Sequence, residues 1–151
     1  MPPSEPVTQQ LVAAVVARLQ GIRAGSTYWY QPDEVLTEHI GFSDLRGALA
    51  YSVLGGNESP AGEDNRDVHE GFEIALHGWA KAHDDEDRLR MARRCVGDLK
   101  VAIAVDEGWG GLAVRTSAPA VEMGDPSEET KPFMRFVVRC TIFYDRVRTA
   151  A

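Results

Sequence analysis

No part of the chain limits its fold more than the run at 133–147. Met134, Phe136, Val138, Cys140, Ile142 and Tyr144 form an unbroken apolar set at every second position, with Arg135, Val137, Arg139, Thr141 and Phe143 between them. A period of two sustained this long means a strand with one side on a core and a mixed opposite side. The same period marks a second long strand at 68–82. There Phe72, Ile74, Leu76 and Ala80 face one way, while His69, Glu73, His77 and Trp79 face the other.

Two segments carry the helical period instead. Leu11, Val15, Leu19 and Ile22 recur behind Thr8, which can act as a cap, and Val12 and Val16 widen the stripe. Further on, Asp84, Asp85, Glu86 and Asp87 put four acids in a first turn, where the helix dipole favours them, and Leu89, Ala92, Val96, Leu99 and Ile103 follow. Shorter strands are expected at 28–30 (Tyr-Trp-Tyr), at 48–54, and at 112–123, where Pro119 marks an edge or a bulge. The stretches near 31–47, 55–67 and 124–131 are rich in Gly, Pro and acids and read as mobile loops, the first a partly ordered excursion and the second a mobile hairpin arm or loop. Two helices on one face of a sheet cover both stripes, so the expected fold is α+β: an antiparallel (mixed) β-sheet with two amphipathic helices packed on one face, in a single domain spanning 1–151.

Charge narrows the partners. The formal net charge is −7, from 16 Lys and Arg against 23 Asp and Glu. Residues 131–151 hold Lys131, Arg135, Arg139, Arg146 and Arg148 against Asp145, which leaves 11 basic and 22 acidic side chains in 1–130. This balance argues against gripping nucleic acid or anionic lipid, and the uneven split suits copies of the chain docking on one another. The N-terminus has no basic region, and the apolar run 11–19 is too short to span a bilayer, so the expectation is a protein that stays in the cytoplasm. Cys95 and Cys140 fall on apolar stripes and read as buried free thiols.

Little in the chain suggests chemistry. His69 and His77 share a strand face but lie roughly 26 Å apart along it, too far to hold one ion. His83 beside Asp84 and Asp85 is explained by helix capping, and the serines show no nucleophile elbow. The glycines of Gly55-Gly56 and GWGG at 108–111 are turns, because a helix precedes GWGG and a strand follows it, the reverse of a phosphate cradle. The expectation is therefore no catalytic residue, no cofactor and no metal. The mixed faces of the two long strands stand out instead: Glu73, His77 and Trp79 on one, and Arg135, Val137, Arg139 and Phe143 on the other, combine aromatics with both signs of charge as interfaces do.

The order of these elements carries a resemblance. An opening helix VAAVVARLQGI, the aromatic YWY, an acidic insertion, the strand FEIALHGWA, the helix DDEDRLRMARRCVGDLKVAI, a Gly-rich turn and the closing strand FMRFVVRCTIFYD are similar to the tail terminator and neck (head-tail joining) proteins of long-tailed bacteriophages. The likeness covers 7–147 and rests on RL-x-x-I, I-x-L-x-G-x-A, D-L-x-x-A-I and a terminal Y-D. It implies a structural virion protein at the head-tail junction, assembled in the host cytoplasm. Its copies would form a ring, typically a hexamer, that caps the tail tube and meets the head-tail connector. DNA would be a passenger through the lumen without sequence-specific binding, and no membrane would be involved. The resemblance carries no catalytic residue. Other readings are a different neck or tail-completion subunit, a small cytoplasmic ligand-binding domain, and a small hydrolase using His77 or His83.

Overall fold

A computed structural model describes residues 3, 5–38, 45–63, 67–124 and 132–147, with side chains at all of these except 61–63, 67–69 and 146–147. Helix α1 (Val7–Gln20) is followed by strands β1 (Glu34–Leu36), β2 (Leu49–Glu63) and β3 (Asp67–Lys81), helix α2 (Asp85–Val105), and strands β4 (Arg115–Thr116), β5 (Ala120–Met123) and β6 (Phe133–Val147). The strands form one mixed sheet in the order β1-β2-β3-β6-β4, with β5 also on the outer edge of β6. Only β1 runs parallel to its neighbour. The protein is thus α+β, as its periodicities require.

The register of the two long strands fixes everything else. Gly78 lies opposite Phe136, Leu76 opposite Val138 and Ile74 opposite Cys140, so the apolar parities of β3 and β6 share one face. Leu11, Val15, Leu19 and Ile22 from α1, and Ala92, Val96, Leu99 and Ile103 from α2, close over that face, each at 8 % exposure or less. Burying each large aliphatic or aromatic side chain there is worth about 1.5–3 kcal/mol. Gly78 has a packing role in this layer: a Cβ built on it would come within 2.1 Å of the Phe136 ring. Phe136 therefore lies flat over bare backbone, and Tyr51, the β2 partner of Gly78, meets it edge-on at 6.3 Å.

Several elements differ from expectation. Residues 28–30 form no strand; a single bridge joins Ala24 to Tyr28, and the turn is held from below by Asp98 of α2, whose two carboxylate oxygens accept from the amides of Trp29 and Tyr30 at 2.9 and 3.0 Å. The stretch 31–47 contains β1 as a short strand, and 39–44 lie outside the described residues. The strand expected at 48–54 continues to Glu63: backbone pairing with β3 orders a segment with almost no apolar side chains, although bulges at Gly55/Glu58 and Pro60/Gly62 interrupt it. Of the stretch 124–131, only Gly124 is described. The strand expected at 112–123 is two short ones flanking Pro119, both on the edge of the sheet where a missing donor does least harm. Helix α1 starts after Pro6, whose ring sets φ at −56°, so Thr8 falls inside the first turn. Helix α2 is capped as its acids suggest, Asp84 accepting from the Asp87 amide at 2.8 Å.

A candidate docking face on the sheet

With the helices on one face, the residues of opposite parity share the other. Along β3 and β6 the facing pairs are Gly71 with Phe143, Glu73 with Thr141, Ala75 with Arg139, His77 with Val137, and Trp79 with Arg135. All seven interface candidates from the sequence therefore lie together on this open face. Next to them β2 contributes Leu54, Ser52 and Ala50, opposite Ala75, His77 and Trp79. At that corner the chain after β1 closes over the sheet: the Ser52 hydroxyl donates to the Glu38 carbonyl, and Ser52 and Ala50 are buried.

The candidates are not alike. Glu73, Arg135 and Arg139 are exposed, and His77, Trp79 and Phe143 are half-buried. Val137 is only 1 % exposed, so the chain already buries it and it has almost no surface left to offer a partner. Arg139 pairs with Glu122 of β5 at 3.2 Å, a half-exposed bridge of the kind worth at most about 1 kcal/mol. The Arg115 guanidinium lies 3.9 Å over the Phe143 ring and covers it from the edge of the sheet. Glu73 and the Arg135 guanidinium have no ion-pair partner among the described residues.

Between these side chains the face is hollow. A groove of about 540 Å³ runs over Ala75, whose methyl group leaves the sheet floor low, with Leu54 on one side, Ser117 on the other, and Glu73, His77 and Arg139 around its rim. The far wall is tied down by the pair Ser117 and Thr141: each backbone amide is engaged at 2.8 Å, Ser117 N with the Thr141 carbonyl and Thr141 N with the Ser117 hydroxyl. An apolar floor ringed by mixed charge suits a protein side chain or loop from a partner.

The groups able to do chemistry are dispersed or shielded. His77 lies mid-strand and His83 beyond the strand end, about 20 Å apart at strand rise. His39 lies outside the described residues. Among the described residues no group of three or more His, Cys, Asp or Glu is placed to hold a metal ion. Burial pushes the Cys95 thiol up to about 12 and that of Cys140 to about 11, so neither is a thiolate near neutral pH. Among the described residues no helix is long and apolar enough to cross a membrane.

The remaining polar groups are structural, and sequence periodicity gave no sign of them. Arg18 of α1 donates to the carbonyls of Ala102 and Asp106 at 3.1 and 2.8 Å, which satisfies the carbonyl end of α2 with a cation, and its guanidinium lies 3.6 Å over Trp109. Asp106 accepts from the amides of Gly108 and Gly110, and these bonds hold its carboxyl below the usual carboxylate range. The turn they close places Trp109 at φ +50°, with its indole N–H donating to Thr116 at 2.8 Å. GWGG is a turn, as its position between helix and strand requires.

The sequence matches no protein-family model and no curated protein. Among solved structures the chain is similar to the sheath/tube terminator of an extracellular contractile injection system in its extended state, at 9 % identity and a TM-score of 0.48. The match takes in 100 % of this chain and 61 % of that one, so the chain spans less than two thirds of its neighbour's length.

Proposed function

We propose that this chain is a structural subunit that works by self-association, a single-domain tail terminator whose ring, a hexamer, caps the tail tube at the head-tail junction. The observation that carries the assembly reading is the open face of β3 and β6. It holds a carboxylate at Glu73 and a guanidinium at Arg135, neither in an ion pair among the described residues, with half-buried Trp79 and Phe143 and a groove over Ala75, all on one sheet. Its place in a tail is supported by the resemblance of 7–147 to terminator and neck proteins. In this reading Glu73, His77, Trp79, Arg135, Arg139 and Phe143 meet a neighbour, and Val137 supports them from beneath. The partners are the tail tube protein and the head-tail connector. The net charge of −7 would let DNA pass the lumen as an unheld passenger.

Purified protein mixed with preassembled tail tubes and imaged in negative stain tests the reading. Rings seated on one end of the tube, and tubes that no longer elongate, are the expected result. A protein that stays monomeric, leaves tube ends bare and lets them grow would end it. Binding to the connector with none to the tube would move the chain to the neck proteins instead.

A further inference from the structure

On the helix side of the molecule lies a second surface that the sheet does not explain. Trp29 is the most exposed aromatic among the described residues, at 57 %. It is nonetheless fixed: its backbone amide, with that of Tyr30, is bonded to the buried carboxylate of Asp98, and the Arg94 guanidinium lies 4.1 Å over its ring. Arg94 also donates to the Tyr30 hydroxyl at 3.4 Å. Trp29, Leu89, Arg90, Arg93 and Arg94, with the single carboxylate Glu86, line a hollow of about 350 Å³, open above Gly97 because nothing stands where a side chain would be. Arg90 is paired with Glu86 and Asp87 at 3.2 Å. Arg93 and Arg94 have no carboxylate partner among the described residues. A preorganised tryptophan with adjoining arginines is the composition of an interface hot spot.

The occupant is set by charge. The β2–β3 hairpin is acidic in sequence, with Glu58, Glu63, Asp67 and Glu70 on its described backbone. Glu58 is exposed, with its carboxylate 3.3 Å from the Tyr144 hydroxyl, which donates to Glu70 at 2.6 Å. The chain's own arm cannot reach its own hollow. Helix α2 runs back from the end of β3, so Arg93 lies about 13 Å along it, whereas Glu70 is about 36 Å up β3 from the same end.

We infer that the Trp29–Arg93–Arg94 hollow receives the acidic β2–β3 arm of a second copy of this chain. The contact is heterologous, since the arm of one copy meets the helix side of the next, and a heterologous contact that closes makes a ring. The inference rests on the self-assembling subunit proposed above and names one of its contacts.

Charge reversal in both directions tests it. Arg93→Glu with Arg94→Glu, and separately Glu58→Lys with Glu63→Lys, are expected to weaken self-association at least about tenfold in sedimentation velocity, with the thermal midpoint of each monomer unchanged. Mixing the two variants should restore an assembly containing both, and Trp29→Ala should weaken the wild-type assembly without any change of charge. If wild type assembles and the reversed variants assemble equally well, or the mixture stays apart, this contact is wrong while the ring stands. If wild type neither self-associates nor caps tubes, both proposals fall.

Discussion

The two faces of the β3–β6 ribbon are made from the same thirty residues and end in opposite states. On the helix face Ile74, Leu76, Met134, Phe136, Val138 and Ile142 are at most 1 % exposed, and their contacts are all internal. On the open face Val137 reaches that condition, while Glu73 and Arg139 stand in solvent around a groove and Arg135 is exposed beside them. One face is covered by the chain's own helices and the other is open to solvent. Packing consumes the helix face, whereas the open face and the Trp29 hollow keep charge and aromatic surface in solvent.

If this contrast holds, substitutions should divide by parity. The largest effect belongs to the helix face: Phe136→Ala should cost about 3–5 kcal/mol in denaturant unfolding. Gly78→Ala should cost about 3 kcal/mol by overpacking against the same ring. Since Phe136→Ala removes the ring that Gly78→Ala strikes, the double variant should fall well short of the sum. An additive double variant would mean that the glycine matters for another reason.

Next is Asp98→Ala, which strips the acceptor from the amides of Trp29 and Tyr30 and should cost about 1–3 kcal/mol. It should also free the Trp29 indole, read as a loss of fluorescence anisotropy. An unchanged anisotropy would show that Arg94 alone holds the ring. On the open face, Arg139→Ala should change stability by no more than about 1 kcal/mol. Self-association should nevertheless drop; a large loss of stability with no change in association would make the open face a second core surface.

The smallest effect lies in the turn after α2. The carboxyl of Asp106 is held low in the folded protein by the Gly110 and Gly108 amides, so its stabilising contribution is full above the unfolded value of 3.8 and is lost as pH falls through the lowered one. The difference in thermal midpoint between wild type and Asp106→Asn should therefore be constant near neutral pH and close in acid. A difference that persists in acid would mean that the turn depends on side-chain shape and not on charge.

Much of this was legible beforehand because it is periodic. The alternation at 133–147 and 68–82, and the helical stripes beginning at Leu11 and Leu89, identify both helices, both long strands and the membership of the open face. What the pattern could not carry is whatever has no period. Tyr28-Trp29-Tyr30 has strand composition, but a buried acceptor at Asp98, almost seventy residues away, makes it a turn. Glu58 and Pro60 lie in a strand because β3 pairs with them, not because their own propensities favour it. Val137 is buried by its surroundings on the face, and no local rule distinguishes it from Thr141. The Trp29 hollow needs Arg93, Arg94 and Asp98 from one helix and an indole from a distant turn, so only the tertiary structure reveals it.

In the proposed assembly the open face meets another subunit. Sedimentation velocity of wild type beside the double variant Glu73→Lys with Arg135→Glu tests it most directly, because both side chains are exposed and neither supports the core. Wild type should form a closed oligomer, and the variant a folded monomer with the same thermal midpoint. A wild-type protein that is monomeric both free and in the presence of tail tubes, or a variant that assembles as wild type does, would contradict it.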